Sequence, residues 1–465
     1  MKNHYELIII GGGAAGLSAA VTAAEHGIKT ALLDEQAAIG GQIYRGIESV
    51  PEERGQQLGS EYLRGRPLAE AFHTSGVDYF PNTQVWALNK QREISLTQDD
   101  EAKTLSADQV IVANGAMERP VPFSDWTLTG VMNAGAGQVL FKSSGVVPAD
   151  DVVLAGSGAL LLLLASQYIR AGVKVTALLD MSTLGNQISS IPKFPKALLA
   201  AHYLIKGMAY ELEIKRAGVP ILKGVSELEA LGEEKLESIR FKHKGSYKTI
   251  DTDLLLTHFG VIPHVWLTQA AGCEHKWDAS QQCWRPKHND WGQSSLDGIL
   301  IAGDGGGING ARAAEFAGRI AAIHAVYALG QIDKHQRNRL AAKDKKALVR
   351  ERYIRPFLEA WFAIPPEVLA TPDNKTVVCR CEEVTAGEIR ETIAKGHEDS
   401  NQVKFLTRCG MGVCQGRQCA NAVAHIVARE TGKPIQQAGL YRGRPPVTPL
   451  TLGQLADLFP QEGEE

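Results

Sequence analysis

The chain has 465 residues, 44% hydrophobic and 22% charged, with a net charge of −3. That length suits about two to four domains with buried cores, and the composition is that of a globular protein, not a disordered or fibrous one. The near-balanced charge gives no reason to expect nucleic acid as a partner, and no stretch approaches the roughly 20 apolar residues of a membrane span.

The N-terminal "MKNHYELIIIGGG" lacks an apolar segment ending in a small-residue cleavage site, so it reads as a buried strand running into glycines, not as a secretory signal. An intracellular, reducing setting is expected, where clustered cysteines bind metal more readily than they form disulfides. Residues 5–35 predict strand, glycine turn, helix and second strand. Gly11 permits the tight turn, Gly13 lets backbone approach a pyrophosphate, and Gly16 allows close helix–strand packing. The helix that follows, opening at Ala14 and Ala15, offers free N–H groups to phosphate. Asp34 closes the second strand 23 residues after Gly11, beside Glu35, where a carboxylate binds ribose hydroxyls.

Three further stretches, "GGQ" at 40–42, "ADQVIVANGAMERP" at 107–120 and "LDGILIAGDGGGINGARAAEFAGRIAA" at 296–322, make the chain resemble the two-dinucleotide-binding flavoprotein superfamily, which includes glutathione and thioredoxin reductases. The resemblance implies FAD held by the first glycine turn together with Gly41, Gln42, Val85, Ala113, Asn114, Gly115, Gly303, Asp304 and Ala311. In it Asp304 hydrogen-bonds the ribityl chain, and the next helix aims its positive N-terminus at the flavin ring, favouring the anionic reduced form. Asn114 stands where that superfamily usually has Thr.

Residues 150–180 repeat the strand–turn–helix–strand plan with Gly156 and Gly158 in place, but Leu161 fills the third glycine position. Leu179 stands where the ribose acid belongs and Asp180 comes one step late, with no arginine cluster for a 2′-phosphate. A second Rossmann-like domain is expected, with an NAD(P) site in doubt and a packing or docking role slightly favoured. Cys273 and Cys283 read as isolated thiols, not a redox disulfide. His258, His264 and His288 have no recognisable partners, and no catalytic residue stands out.

Nine Lys or Arg between 334 and 355 face two acids, the pattern of a solvated helical linker, and the prolines of 362–376 mark the next domain boundary. Five of the seven cysteines then fall between 379 and 419. Cys379 and Cys381 are one residue apart, while Cys414 and Cys419 lie where glycines give way to a helix whose N-terminus lowers thiol pKa. Four thiolates suit zinc or an iron–sulfur cluster; the flavin motifs upstream and the surrounding Arg380, Lys404, Arg408 and Arg417 favour iron.

"CRCEEVTAGEI" with "TRCGMGVCQGRQC" resembles the bacterioferritin-associated-ferredoxin-like [2Fe–2S] domain, in the form found in alpha subunits of opine oxidases, D-hydroxyproline dehydrogenase and hydrogen cyanide synthase. The likeness runs through "RPPVTPL" at 444–450 and implies Cys379, Cys381, Cys414 and Cys419 as ligands. Cys409, also four residues removed from Cys414, could substitute as a ligand and is read here as a bystander or a thiol beside the ligands.

The expected architecture is α/β: an FAD-binding domain at 1–118 and 251–330, an inserted NAD(P)-binding-like domain at 119–250, a linker at 331–375, a small helical [2Fe–2S] domain at 376–432, and a tail at 433–465. The implied role is the electron-transferring alpha subunit of a flavin dehydrogenase that oxidises a C–N bond in an amino-acid-like substrate. A glycine-oxidase-like beta subunit with its own flavin and a small ferredoxin-like protein are the implied partners. Related complexes hold an FMN between subunits, and relatives can carry another adenine nucleotide in the first slot. A cytoplasmic location, at most peripheral to the inner membrane through the complex, is expected. The rival reading is a self-contained NAD(P)H-dependent reductase, and a third is a mainly structural nucleotide-binding subunit.

Overall fold

The computed structural model describes residues 2–371 and 373–458. Among them, no helix is long and apolar enough to cross a membrane. The first unit is built on strand His4–Ile10, which pairs in parallel with Thr30–Leu33 on one side and Glu101–Val112 on the other. Asp78–Phe80 extends one edge, and Ile299–Ile301 pairs in parallel with residues 110–112. An antiparallel meander, Gln84–Leu88 and Glu93–Gln98, completes this seven-stranded sheet. The uninterrupted apolar run of the first strand follows from burial on both faces. Leu7 and Ile9 face one core, and Ile8 and Ile10 face another that the sheet shares with the C-terminal domain.

On the first face, helix Ala14–Glu25 packs against helix Ala311–Ala328. Their closest approach is at Gly318, where a Cβ would overlap the Ala15 carbonyl oxygen. The Ala- and Gly-rich composition of both helices permits this spacing, which brings the chain's end-of-sheet motif beside the first glycine turn.

The second unit is a five-stranded sheet in which Asp151–Gly156 lies between Lys174–Asp180 and Leu255–His258, with Ile221–Lys223 and Val131–Asn133 at the edges. A three-stranded antiparallel sheet, Ser226–Leu231, Ser238–His243 and Ser246–Asp251, covers it. Strand Leu255–His258 therefore belongs to the second sheet, beyond the boundary at 250 expected from sequence. Its apolar "LLLT" is buried by pairing with Asp151–Gly156, a long-range contact that local pattern does not report.

The basic run forms helix Lys334–Arg352, opened by a capping box between Asp333 and Gln336. It is not a solvated linker. Ala341 and Leu348 are buried against the body, and Glu351, also buried, pairs with Arg312 and accepts a hydrogen bond from Tyr203 at 2.5 Å. Lys345 and Arg337 lie over the Trp291 ring at 3.2 and 4.0 Å, so aromatic faces take up charges that would otherwise resist packing.

The C-terminal domain joins a short ribbon, Val377–Cys379 with Val384–Thr385, to helices Ala386–Ala394, Ser400–Thr407 and Ala420–Thr431. Ile389, Val403, Val423, Ile426 and Val427 are among its fully buried aliphatics, each contributing about 2 kcal/mol. The tail does not stand apart. Tyr441 is completely buried in this core, and the Val447 N–H donates to the Trp86 carbonyl at 2.9 Å, pinning the domain to the meander. Residues 459–465 of the expected tail lie outside the described residues.

Candidate functional site

At the C-terminal end of strand His4–Ile10 the predicted nucleotide residues converge. Gly11 has φ +109°, and a Cβ there would come within 2.6 Å of the Ala113 carbonyl oxygen, so only glycine fits. A Cβ on Gly41 would stand 2.7 Å from Gly13 Cα, which seats "GGQ" directly on the turn. Gly303 lies over Ala15, and Gly305 over the Asn114 side chain. The three sequence stretches thus form one cradle. Glu35 and Gln42 are exposed at its edge, Val85 is half-buried in the meander, and Ala311 is the first residue of its helix.

Two buried oxygens in this cradle have no partner. Asp34 accepts from the Gln36 N–H at 3.1 Å through Oδ1, while Oδ2 is buried and unbonded. Burial pushes this carboxyl up to about 6. Asn114 donates to the His264 carbonyl at 3.2 Å and leaves Oδ1 buried without a donor. An orphaned carboxylate oxygen at the end of the second strand is what ribose hydroxyls would satisfy, so these residues fit a dinucleotide. Asp304 accepts from the Asn309 and Gly310 N–H groups at 2.8 and 3.0 Å, which fixes its carboxyl at the head of helix Ala311–Ala328; burial raises its pKa.

Sequence reasoning missed Lys142. It is 4% exposed, its Nζ donates to the Gln42 carbonyl at 3.0 Å, and no carboxylate among the described residues pairs with it. Burial, then the Arg45 charge, pushes its pKa down to about 7. It also missed the buried pair of His258 and Glu118, whose second oxygen accepts from the Gly135 N–H at 2.6 Å. These partners lie 140 residues apart in sequence, beyond any local motif.

The cysteines form a second centre. The ligand atoms of Cys379, Cys409 and Cys419 lie within 4.8 Å of one another, and all three residues are buried. Cys419 caps helix Ala420–Thr431, and the Gly410 N–H points at Cys379 Sγ from 3.4 Å. Hydrogen bonds from Cys409 and Cys419 hold the Cys379 thiol down at about 2, and the same contact pushes Cys409 up to about 12. Cys381, exposed, and Cys414, half-buried, meet each other at the outer rim. The four predicted ligands thus comprise two inner and two outer thiols, and the structure adds Cys409, which the sequence left aside. Sulfurs gathered so tightly are placed to share one metal centre, and an all-sulfur donor set fits zinc or a [2Fe–2S] core.

The expected cations are nearby. Arg417 donates to the carbonyls of Cys414 and Val447 at 3.4 and 2.5 Å, Lys404 lies 5.1 Å from the Tyr441 ring, Arg408 pairs with Glu382, and Arg380 turns onto Trp126. A cleft of about 320 Å³ beside this loop is lined by Lys404, Met411, Arg442 and Arg444. Cys273 and Cys283 are both buried, remote in sequence from this cluster, and without a disulfide.

Residues 5–325 match the pyridine nucleotide-disulphide oxidoreductase family, and residues 373–458 match the sarcosine oxidase A3 domain. The chain is 41% identical to the A subunit of opine oxidase from Rhizobium meliloti, over 98% of this chain and 88% of the relative. It is 32% identical to the HcnB subunit of hydrogen cyanide synthase from Pseudomonas protegens, over 98% of each. The structure is similar in fold to L-proline dehydrogenase from P. horikoshii, with a TM-score of 0.73 at 19% identity, covering 97% of this chain and 79% of that one.

Proposed function

Because the chain belongs to the pyridine nucleotide-disulphide oxidoreductase family, and within it to the group of the opine oxidase and HcnB subunits, we propose that this FAD-dependent oxidoreductase subunit passes electrons between FAD and a [2Fe–2S] cluster in a multi-subunit complex. The complex oxidises a C–N bond of an amino-acid-like substrate on a partner subunit. The observation that carries this reading is one chain holding both a dinucleotide cradle with unpaired ribose-facing oxygen and a tight thiol cluster. FAD takes up a hydride or electron pair, and a [2Fe–2S] cluster moves electrons singly.

In this reading Asp34, Gly11–Gly16, Asn114 and Asp304 hold the nucleotide, and Cys379, Cys381, Cys414 and Cys419 hold the cluster, with Cys409 beside them. The rim of the cluster offers a landing surface for the partner. Phe405 and Val413 are 75% and 73% exposed, an apolar display that ordinarily marks an interaction site. Lys404, Arg442 and Arg444 carry the charge that the phosphate of an interfacial FMN would need.

Anaerobic titration of the purified complex tests the reading. An amino-acid-type substrate bleaches the flavin band only when the partner is present, whereas NADH and NADPH leave it unchanged. Bleaching of the isolated chain by either nicotinamide would favour a self-contained reductase instead.

A further inference from the structure

The second glycine turn bears the fold of a dinucleotide site, yet the chain covers it with its own backbone. After the basic helix and the short helix Arg355–Trp361, the chain crosses the C-terminal ends of strands Asp151–Gly156 and Lys174–Asp180. There the Ser157 hydroxyl donates to the Phe362 carbonyl at 3.0 Å. Asn186, in the helix that follows the second of these strands, donates to the carbonyls of Trp361 and Ala363 at 3.3 and 2.7 Å. Gln282 donates to the Ile364 carbonyl at 3.2 Å. Ile364 and Leu369 are buried among Leu179, Met181 and Phe259.

The mouth of the second glycine turn is occupied from within the chain. The turn at the head of helix Ala159–Arg170 would present its N–H groups to phosphate oxygens; here the Phe362 carbonyl, held by the Ser157 hydroxyl, lies beside that turn. The space over Gly158 is taken by His258, whose Nε2 would stand 2.7 Å from a Cβ built there.

We propose that Trp361–Ile364 is a built-in occupant of the second dinucleotide fold, which has become a socket for the arm leading to the cysteine domain and does not take NAD(P)H. The arm continues straight into that domain: Arg390 donates to the Thr371 carbonyl at 2.6 Å, and the Trp126 indole N–H donates to the Val377 carbonyl at 2.7 Å. Seating the arm therefore also sets where the cysteines stand relative to the flavin unit.

Hydrogen exchange of the full chain, with and without millimolar NADH or NADPH, tests this. Protection in 155–164 and 181–190 stays unchanged with nicotinamide, and any protection confined to the first glycine turn is likewise the expected result. Asn186→Ala, which deletes two arm hydrogen bonds, raises exchange at 361–366 by about tenfold. Nicotinamide that protects 155–164 while loosening 361–366 would overturn the proposal.

Discussion

Replacing Lys142 with methionine removes a buried cation while keeping nearly the same side-chain volume. Lys142 is 4% exposed, and its one hydrogen bond among the described residues is to the Gln42 carbonyl at 3.0 Å. Its pKa falls from 10.5 to about 7, with burial the main cause. The unfolded chain therefore holds a proton between these values that the folded chain has released, and stability rises with pH across that window. Below the lower value both states are protonated, and the full cost of burying the charge is felt. At 1.36 kcal/mol per unit, that cost is about 5 kcal/mol, and the wild type recovers about 3 kcal/mol of it between about pH 6 and about pH 9.

Lys142→Met escapes this dependence. Urea unfolding of both proteins at those two pH values should show the variant more stable at the acid end, by several kcal/mol less about 1 for the lost hydrogen bond. The advantage should shrink by about 3 kcal/mol at the alkaline end. Parallel pH profiles, or a variant destabilised equally at both, would refute the claim that Lys142 is an uncompensated buried cation.

A Cβ at Gly12 would overlap Asp34 Oδ2 and lie 2.9 Å from its Cγ, so Gly12→Ala should push the carboxylate out of the cradle and weaken FAD retention at least tenfold, measured by flavin fluorescence on gel filtration. Cys419→Ser should lose bound iron, whereas Cys273→Ser, at a buried thiol with only a 3.8 Å contact to Ser294, should keep its full metal content by elemental analysis. Glu118→Ala leaves the buried His258 ring and the Gly135 N–H without their hydrogen-bond partner, and should cost about 2–6 kcal/mol in unfolding without altering the iron content.

What the sequence made legible was local chemistry under strong backbone constraint. Gly11 and Gly13 and the acid at the end of the second strand are tied to one another by a turn that few sequences can form, and the structure brings them together as expected. The cysteine spacing likewise announced a sulfur site, because five of the seven cysteines fall within 41 residues, and three of them gather in the structure. Contacts made across the fold were not legible. His258 meets Glu118 only because a strand from 255–258 inserts beside strand Asp151–Gly156. Lys142 reaches Gln42 from a helix 100 residues away. Cys409 joins Cys379 because a loop folds back, and its even spacing from Cys414 concealed that. The basic run misled for another reason: charge counts ignore that aromatic faces such as Trp291 can seat cations against a packed surface.

The central claim, that one polypeptide carries both a flavin and an iron–sulfur cluster, is tested most directly by analysing anaerobically purified protein for metal and flavin, then recording its electron paramagnetic resonance after dithionite reduction. About two irons and one flavin per chain, with the low-temperature signal of a reduced [2Fe–2S] centre, are the predicted result. Zinc in place of iron, or protein without a yellow chromophore, would contradict it.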